Sequence, residues 1–219
     1  MRKQLSILIF FVLAGAGLYA QEAPFHNDIQ AFKKKDAAQF PAKHSILFVG
    51  SSSFTKWTDV QDYFPGYPII NRGFGGSSLP DVIHYADDII FPYQPKQIVI
   101  YCGENDLASA DTVTAATVVQ RFKTLFGMIR AKLGETPVLF VSLKPSPSRS
   151  RLFPKMKAAN AEIRSFLLKN KKTAFADVYS KMLDTDGAPI KDIFLPDSLH
   201  MNAKGYAIWK KVIEPYLIH

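Results

Sequence analysis

The chain has a single cysteine, Cys102, so no disulfide can form within it and packing must hold the fold. Only 21% of residues are charged, and the densest basic groups, Lys33-Lys34-Lys35 and Lys169, Lys171 and Lys172, are not interleaved with aromatics. That pattern describes solvated helix surface and excludes a nucleic-acid partner. No low-complexity tract or internal repeat is present, which excludes a disordered or repetitive architecture. A dinucleotide fingerprint fails at Gly73-Phe74-Gly75-Gly76, because Ser78 stands where the third glycine belongs. Asp184-Thr185-Asp186-Gly187 lacks the later ligands of a calcium loop, notably a glutamate at the twelfth position, and reads as a turn. No metal site and no cofactor are expected.

Long apolar runs are scarce. The longest, Leu5 to Ala14, follows Arg2 and Lys3 and precedes small residues ending at Leu18-Tyr19-Ala20. This is the pattern of a secretory signal peptide cut before Gln21, with a cut after Ala16 as the other option because Leu18 departs from the small-x-small rule. The run is short for a membrane span, and no cysteine at the junction offers a lipid attachment point. Residues 1–20 are therefore expected to be removed and residues 21–219 to form one exported domain, periplasmic or secreted, with no stable membrane span. Cleavage removes two cations and no acid, which lowers the formal charge from +8 to +6.

What the mature region does contain is a core. With 47% hydrophobic residues it can bury enough apolar surface for a single globular domain. Five apolar runs, 45–49, 68–71, 97–101, 138–143 and 173–178, are rich in Ile, Val and Phe and nearly free of polar interruption. Such runs mark strands buried on both faces of a parallel sheet. Between them lie helical periods: Val118, Phe122, Leu125, Phe126, Ile129 and Leu133; then Met156, Ala159, Ile163, Phe166 and Leu167; then Tyr206, Trp209, Val212, Ile213 and Tyr216. Residues 81–90 and 25–39 read as further helices, the latter placed across the sheet edge. The alternation predicts a three-layer α/β/α sandwich with a five-stranded, flavodoxin-like parallel sheet, whose binding crevice lies beyond the carboxyl ends of the strands.

Three motifs fall at those carboxyl ends. Gly50-Ser51-Ser52-Ser53 follows the first strand, Asn71-Arg72-Gly73-Phe74-Gly75-Gly76 the second, and Gly103-Glu104-Asn105-Asp106 the third. A serine at a strand-to-helix turn presents its hydroxyl and its own N–H to the crevice, with the helix N-terminus adding positive potential. Three serines in a row leave open which one acts. A glycine such as Gly76 lets backbone N–H approach an anion, and an asparagine such as Asn105 offers side-chain N–H. A fourth motif, Leu195-Pro196-Asp197-Ser198-Leu199-His200, places an acid three residues before a histidine. At that spacing Asp197 can reach Nδ1–H of His200 and leave the other ring nitrogen to act as a base. The segment Leu143-Lys144-Pro145-Ser146-Pro147-Ser148-Arg149 borders the same crevice, where Lys144 or Arg149 can meet an anionic group or pair with surface acids. Cys102 is expected to be a small buried side chain, and Phe54, Trp57, Phe74 and Phe153 to pack.

These residues, over roughly 44–217, resemble the SGNH hydrolases, the GDSL-like lipase/acylhydrolase family. The resemblance implies a flavodoxin-like fold and hydrolysis of carboxylic esters without metal or cofactor. It implies Ser52 as nucleophile, Asp197 and His200 as the acid–base pair, and an oxyanion hole formed by Ser52, Gly76 and Asn105. One departure is Ser51, which stands where the family usually has aspartate; it leaves Ser51 and Ser53 as rival nucleophiles, with Ser52 favoured by register. The function expected is an exported serine esterase acting on a small-molecule or glycan ester, with acetylated carbohydrate the favoured class. The same residues also suit an O-acyltransferase, or a carbohydrate- or acyl-binding module that has lost turnover.

Overall fold

The structure is a computed structural model and describes residues 23–219. The expected leader, residues 1–20, lies outside the described residues. Five strands form one sheet: β1 (Ile46–Gly50), β2 (Ile69–Gly73), β3 (Gln97–Tyr101), β4 (Val138–Val141) and β5 (Thr173–Ala176). Their order is β2-β1-β3-β4-β5, and every neighbouring pair is parallel. The helices are α1 (His26–Ala38), α2 (Ser52–Thr55), α3 (Val60–Tyr63), α4 (Leu79–His84), α5 (Ala86–Ile89), α6 (Glu104–Ser109), α7 (Ala115–Leu133), α8 (Phe153–Leu167), α9 (Val178–Lys181) and α10 (Ala203–Ile213). This is the flavodoxin-like α/β/α sandwich that the sequence predicts.

Side-chain alternation along the strands divides the core in two. Leu47, Val49, Ile98, Ile100, Val138 and Phe140 face the layer carrying Leu79, Val82, Phe122, Leu125, Met156 and Ile163. Ile46, Phe48, Val99, Tyr101, Leu139 and Val141 face the opposite layer, where Phe54, Trp57, Phe64, Tyr206, Trp209 and Ile213 form a mostly aromatic core. There Trp57 stacks on Tyr206 with ring centroids 4.7 Å apart, and Trp209 meets Tyr101 edge-on at 4.8 Å. The first contact fastens the last helix to the segment that follows β1, and the second fastens it to β3.

Several boundaries differ from the sequence expectation for local reasons. The 138–143 run leaves the sheet after Val141, because the Asn160 side chain takes both Leu143 N–H (2.8 Å) and Leu143 C=O (3.0 Å) in place of a strand neighbour. The 173–178 run ends at Ala176, and Asp177 accepts from Ser180 N–H (3.1 Å) to start α9. The single helix expected over 81–90 is two short ones broken at Tyr85, whose hydroxyl donates to the Pro24 carbonyl (2.7 Å). Tyr216 is 40% exposed in a 3₁₀ turn and leaves the buried stripe of the last helix. At the edge strand, Arg72 of β2 and Tyr93 both bond Asp36 of α1, which holds α1 against that side of the molecule.

The order of the strands creates the site's location. The chain leaves β1 for β2 on one side, then crosses back to place β3 on the other. The carboxyl ends of β1 and β3 therefore mark the topological switch point, beyond which the binding crevice of an open parallel sheet is expected.

Candidate active site

Gly50 ends β1 with φ +142°, and a Cβ there would lie 1.9 Å from the Tyr101 carbonyl oxygen. Only glycine permits that approach. The Ser51 N–H donates to the same Tyr101 oxygen (3.0 Å), and the Gly50 carbonyl accepts from Phe74 N–H (2.9 Å) and Ser77 Oγ (3.2 Å). The segments after β1, β2 and β3 are thus tied together at one point.

The three serines after Gly50 differ in access. Ser51 is 3% exposed and Ser53 1% exposed, whereas Ser52 is half-buried. Ser52 opens α2, a helix of four residues. The helix-terminus potential expected at this serine is accordingly that of a single turn, because few peptide dipoles add along so short an element. Asn71 accepts from Gly73 N–H (3.0 Å) and donates to the Phe54 carbonyl (2.7 Å), which fixes α2 against β2.

Gly76 lies in the turn after β2 with φ +87°, a conformation open to glycine at little cost. Its ring neighbour is Phe25, whose Cε1 would be 3.7 Å from a Cβ at that position. Asn105, in the first turn of α6, donates from Nδ2 to the Ser77 carbonyl (3.0 Å), which brings its amide beside Gly76 in the chain. Asp106, next to it, accepts from Leu79 N–H (2.9 Å) and from Arg121 (2.8 Å); it caps α4 and not its own helix.

Asp197 and His200 meet as the spacing predicts. Asp197 Oδ2 is 2.7 Å from His200 Nδ1, and Oδ1 accepts the backbone N–H groups of Leu199 and His200, each at 2.9 Å. The bond to the His200 ring and these two N–H groups hold the Asp197 carboxyl well below the usual carboxylate range. An ionised carboxylate is only an acceptor, so Nδ1 carries a hydrogen, and in the neutral imidazole the lone pair then lies on Nε2. Ser198 holds φ +54° between the two residues, and an antiparallel bridge of Phe194 with Met201 closes the base of the turn. Tyr206, in the first turn of α10, donates its hydroxyl to the Ser53 carbonyl (2.9 Å), tying the helix that follows His200 to the serine turn.

Beneath these groups lies a buried ionic network. Glu104 accepts from Lys144 Nζ (2.9 Å), Tyr101 OH (2.5 Å) and Ser146 Oγ (2.8 Å). Burial by itself raises the Glu104 pKa, but the Lys144 ammonium, the Tyr101 hydroxyl and the Arg149 guanidinium outweigh it and hold the carboxyl below its ordinary value. Lys144 is 2% exposed and is therefore unavailable to a substrate. Burial, with Asp106 nearby, pushes the Cys102 thiol up, so it is an inert packing group. Phe54, Trp57 and Phe74 are fully buried and pack, while Phe153 meets Tyr179 edge-on. Asp184 accepts from the N–H groups of Asp186 and Ala188, which makes that segment a turn. The cavity lined by Lys157, Asn160, Arg164, Phe175, Asp177 and Tyr179 includes none of Ser52, Gly76, Asn105, Asp197 and His200.

A family model for the GDSL-like Lipase/Acylhydrolase family matches residues 45–208. The chain belongs to that family. The match spans every strand and all four sequence motifs, and membership supports ester hydrolysis. Solved structures agree on the fold. A GDSL-like lipase from Bacteroides thetaiotaomicron superposes with a TM-score of 0.73 at 20% identity, covering 85% of this chain and 95% of that one. A Streptococcus pneumonia protein, provisionally described as a platelet activating factor, gives 0.76 at 19% identity, covering 88% and 92%. A catalytic mutant of an acetylxylan esterase from Geobacillus stearothermophilus gives 0.63 at 11% identity, covering 80% and 94%. No curated protein matches the chain by sequence.

Sequence reasoning missed the Glu104 network and the Tyr206 tie. Each joins residues at least forty positions apart, apart from the Tyr101–Glu104 link, so no local pattern announces it. The signal available was Lys144, a charged residue inside an apolar strand-to-loop run.

The network predicts a pH dependence. A carboxyl whose pKa is depressed on folding stabilises the native state above its unfolded value, near about 4.3, and loses that contribution as pH falls through the folded value. Glu104→Gln should therefore be less stable than wild type in urea unfolding at neutral pH, and the gap should shrink on acidification. A gap of constant size from neutral to acid pH would contradict the electrostatic role.

Proposed function

We propose that the protein is an exported serine esterase in which Ser52 attacks the ester carbonyl and His200 takes its proton. The observation that carries this reading is the Asp197–His200 pair at 2.7 Å, which leaves Nε2 as an available base. A serine hydroxyl needs such a base to become a useful nucleophile. The access of Ser52, against the burial of Ser51 and Ser53, supports Ser52 as that nucleophile. Attack makes a tetrahedral intermediate whose oxyanion takes hydrogen bonds from the N–H groups of Ser52 and Gly76 and from the Asn105 amide. Collapse breaks the bond to the leaving alkoxide, which His200 protonates as the alcohol departs. Water, deprotonated by His200, then attacks the acyl-serine and releases the carboxylic acid.

Acetyl groups on carbohydrate are the proposed substrate class, supported by the activity named for the acetylxylan esterase that shares the fold. Export rests on Arg2, Lys3 and the apolar run that follows them; a chain recovered from the culture's periplasm or medium beginning at Gln21 agrees with it, and one retained in the cytosol with Met1 intact contradicts it. Hydrolysis distinguishes this reading from acyl transfer, in which an added sugar alcohol would accept the acyl group in place of water.

Ser52→Ala should lower kcat on acetylated xylo-oligosaccharides and p-nitrophenyl acetate by a factor on the order of 10⁴–10⁶, and Asp197→Asn by about 10⁴. A fluorophosphonate probe should label wild type and spare Ser52→Ala. Folded wild-type protein that neither turns over esters nor takes the probe would favour a binding module, and activity surviving in Ser52→Ala would remove Ser52 from its role.

A further inference from the structure

An asparagine amide is a two-faced group. Rotation by half a turn about its last torsion exchanges a donor for an acceptor, and an acceptor facing an oxyanion would repel it. Asn105 therefore serves an oxyanion hole only if something fixes which way its amide points. Two contacts do so. Nδ2 donates to the Ser77 carbonyl at 3.0 Å, and Oδ1 accepts from Arg149 Nη2 at 3.1 Å. In the reversed orientation the amide oxygen would face the Ser77 oxygen and the NH₂ would face a guanidinium, so both contacts become repulsive. With one Nδ2 hydrogen spent on Ser77, the other has no acceptor among the described residues.

The guanidinium is itself held. Arg149 Nη1 donates to the Glu104 carbonyl (3.1 Å), and Nε lies 3.8 Å from Glu104 Oε1. Glu104 is in turn anchored by Lys144, Tyr101 and Ser146. The Arg149 side chain is 18% exposed, and its backbone N–H closes a turn onto the Ser146 carbonyl (2.9 Å). One residue earlier, Ser148 N–H donates to the carbonyl of Ser198 (3.0 Å), the residue between Asp197 and His200 in their turn. The strap after β4 thus grips both the asparagine and the histidine turn.

We propose that Arg149 is a positioning residue of this site: its guanidinium selects the donor face of the Asn105 amide and, by a charge-assisted bond to Oδ1, polarises the N–H that meets the oxyanion. It does so without touching substrate. The inference rests on the reading of Asn105 as an oxyanion donor. A planar fork is needed to span the Glu104 carbonyl and the Asn105 oxygen together, which an ammonium cannot do in the same geometry.

The test is steady-state hydrolysis of p-nitrophenyl acetate by wild type, Asn105→Ala, Arg149→Met, Arg149→Lys and the double variant Asn105→Ala/Arg149→Met. Asn105→Ala should lose about 10²–10³ in kcat. Arg149→Met should lose roughly tenfold or more in kcat with KM little changed, as expected when an interaction made only in the transition state is weakened. The double variant should be no slower than Asn105→Ala alone, because residues acting through one contact are not additive. Arg149→Lys should recover only part of the loss, and it carries the comparison should Arg149→Met fail to fold. Wild-type kcat in Arg149→Met or Arg149→Lys beside an impaired Asn105→Ala overturns this inference alone. So does a double variant whose loss is the product of the single losses. Full activity in Asn105→Ala overturns the oxyanion reading of Asn105 and this inference with it, while Ser52→Ala still reports separately on the esterase reading.

Discussion

The site depends on the close approach of β1 to β3 at Gly50. There the backbone comes so near the Tyr101 carbonyl that a Cβ would occupy the same space, and the Ser51 N–H and the Gly50 carbonyl each bond across to a neighbouring segment. This one junction sets the serine turn, the Gly76 turn and the Asn105 helix start in a common frame. Each segment arrives from a different strand, so none could be moved without breaking a ladder of parallel hydrogen bonds. The crevice is a consequence of strand order, and its chemistry is a consequence of which short segments the order brings to its rim.

Below that rim, the fold accepts a costly arrangement. Burying Glu104 and Lys144 together removes two charges from water, and such a pair rarely stabilises a protein more than well-packed apolar side chains would. Removing one partner is another matter and costs about 3–5 kcal/mol, because the survivor is stranded. The network links α6 to the strap after β4, and from that strap Arg149 bonds the asparagine amide and Ser148 the histidine turn. The aromatic core on the other face makes a similar link, since Tyr206 carries the helix after His200 onto the serine turn while stacking on Trp57.

What the sequence revealed, and what it hid, follows the range of the interactions. Strands such as Gln97–Tyr101 are legible because burial on both faces leaves an unbroken apolar run. The pairing of Asp197 with His200 is legible because three residues separate them in one turn. The end of β4 is not, because it is set by Asn160, a residue from the next helix that imitates a strand neighbour. Nor could composition separate Ser51, Ser52 and Ser53, which differ only in how the turn after Gly50 aims them. Arg149 read as a cation bordering the crevice, open to an anion or a surface acid; its partners are the backbone carbonyl and the buried carboxylate of Glu104 and an asparagine forty-four residues away. Family membership follows from the motifs, whereas the strap's grip on them follows only from coordinates.

The most direct measurement is a crystal structure of the protein after reaction with a small alkylphosphonate ester, whose phosphoryl oxygen stands in for the oxyanion. The account predicts phosphorus bonded to Ser52 Oγ, with that oxygen roughly 2.7–3.1 Å from both Gly76 N and Asn105 Nδ2, and His200 Nε2 facing the phosphonate's oxygens. An adduct on another residue, or one on Ser52 whose phosphoryl oxygen turns away from Gly76 and Asn105, would contradict it.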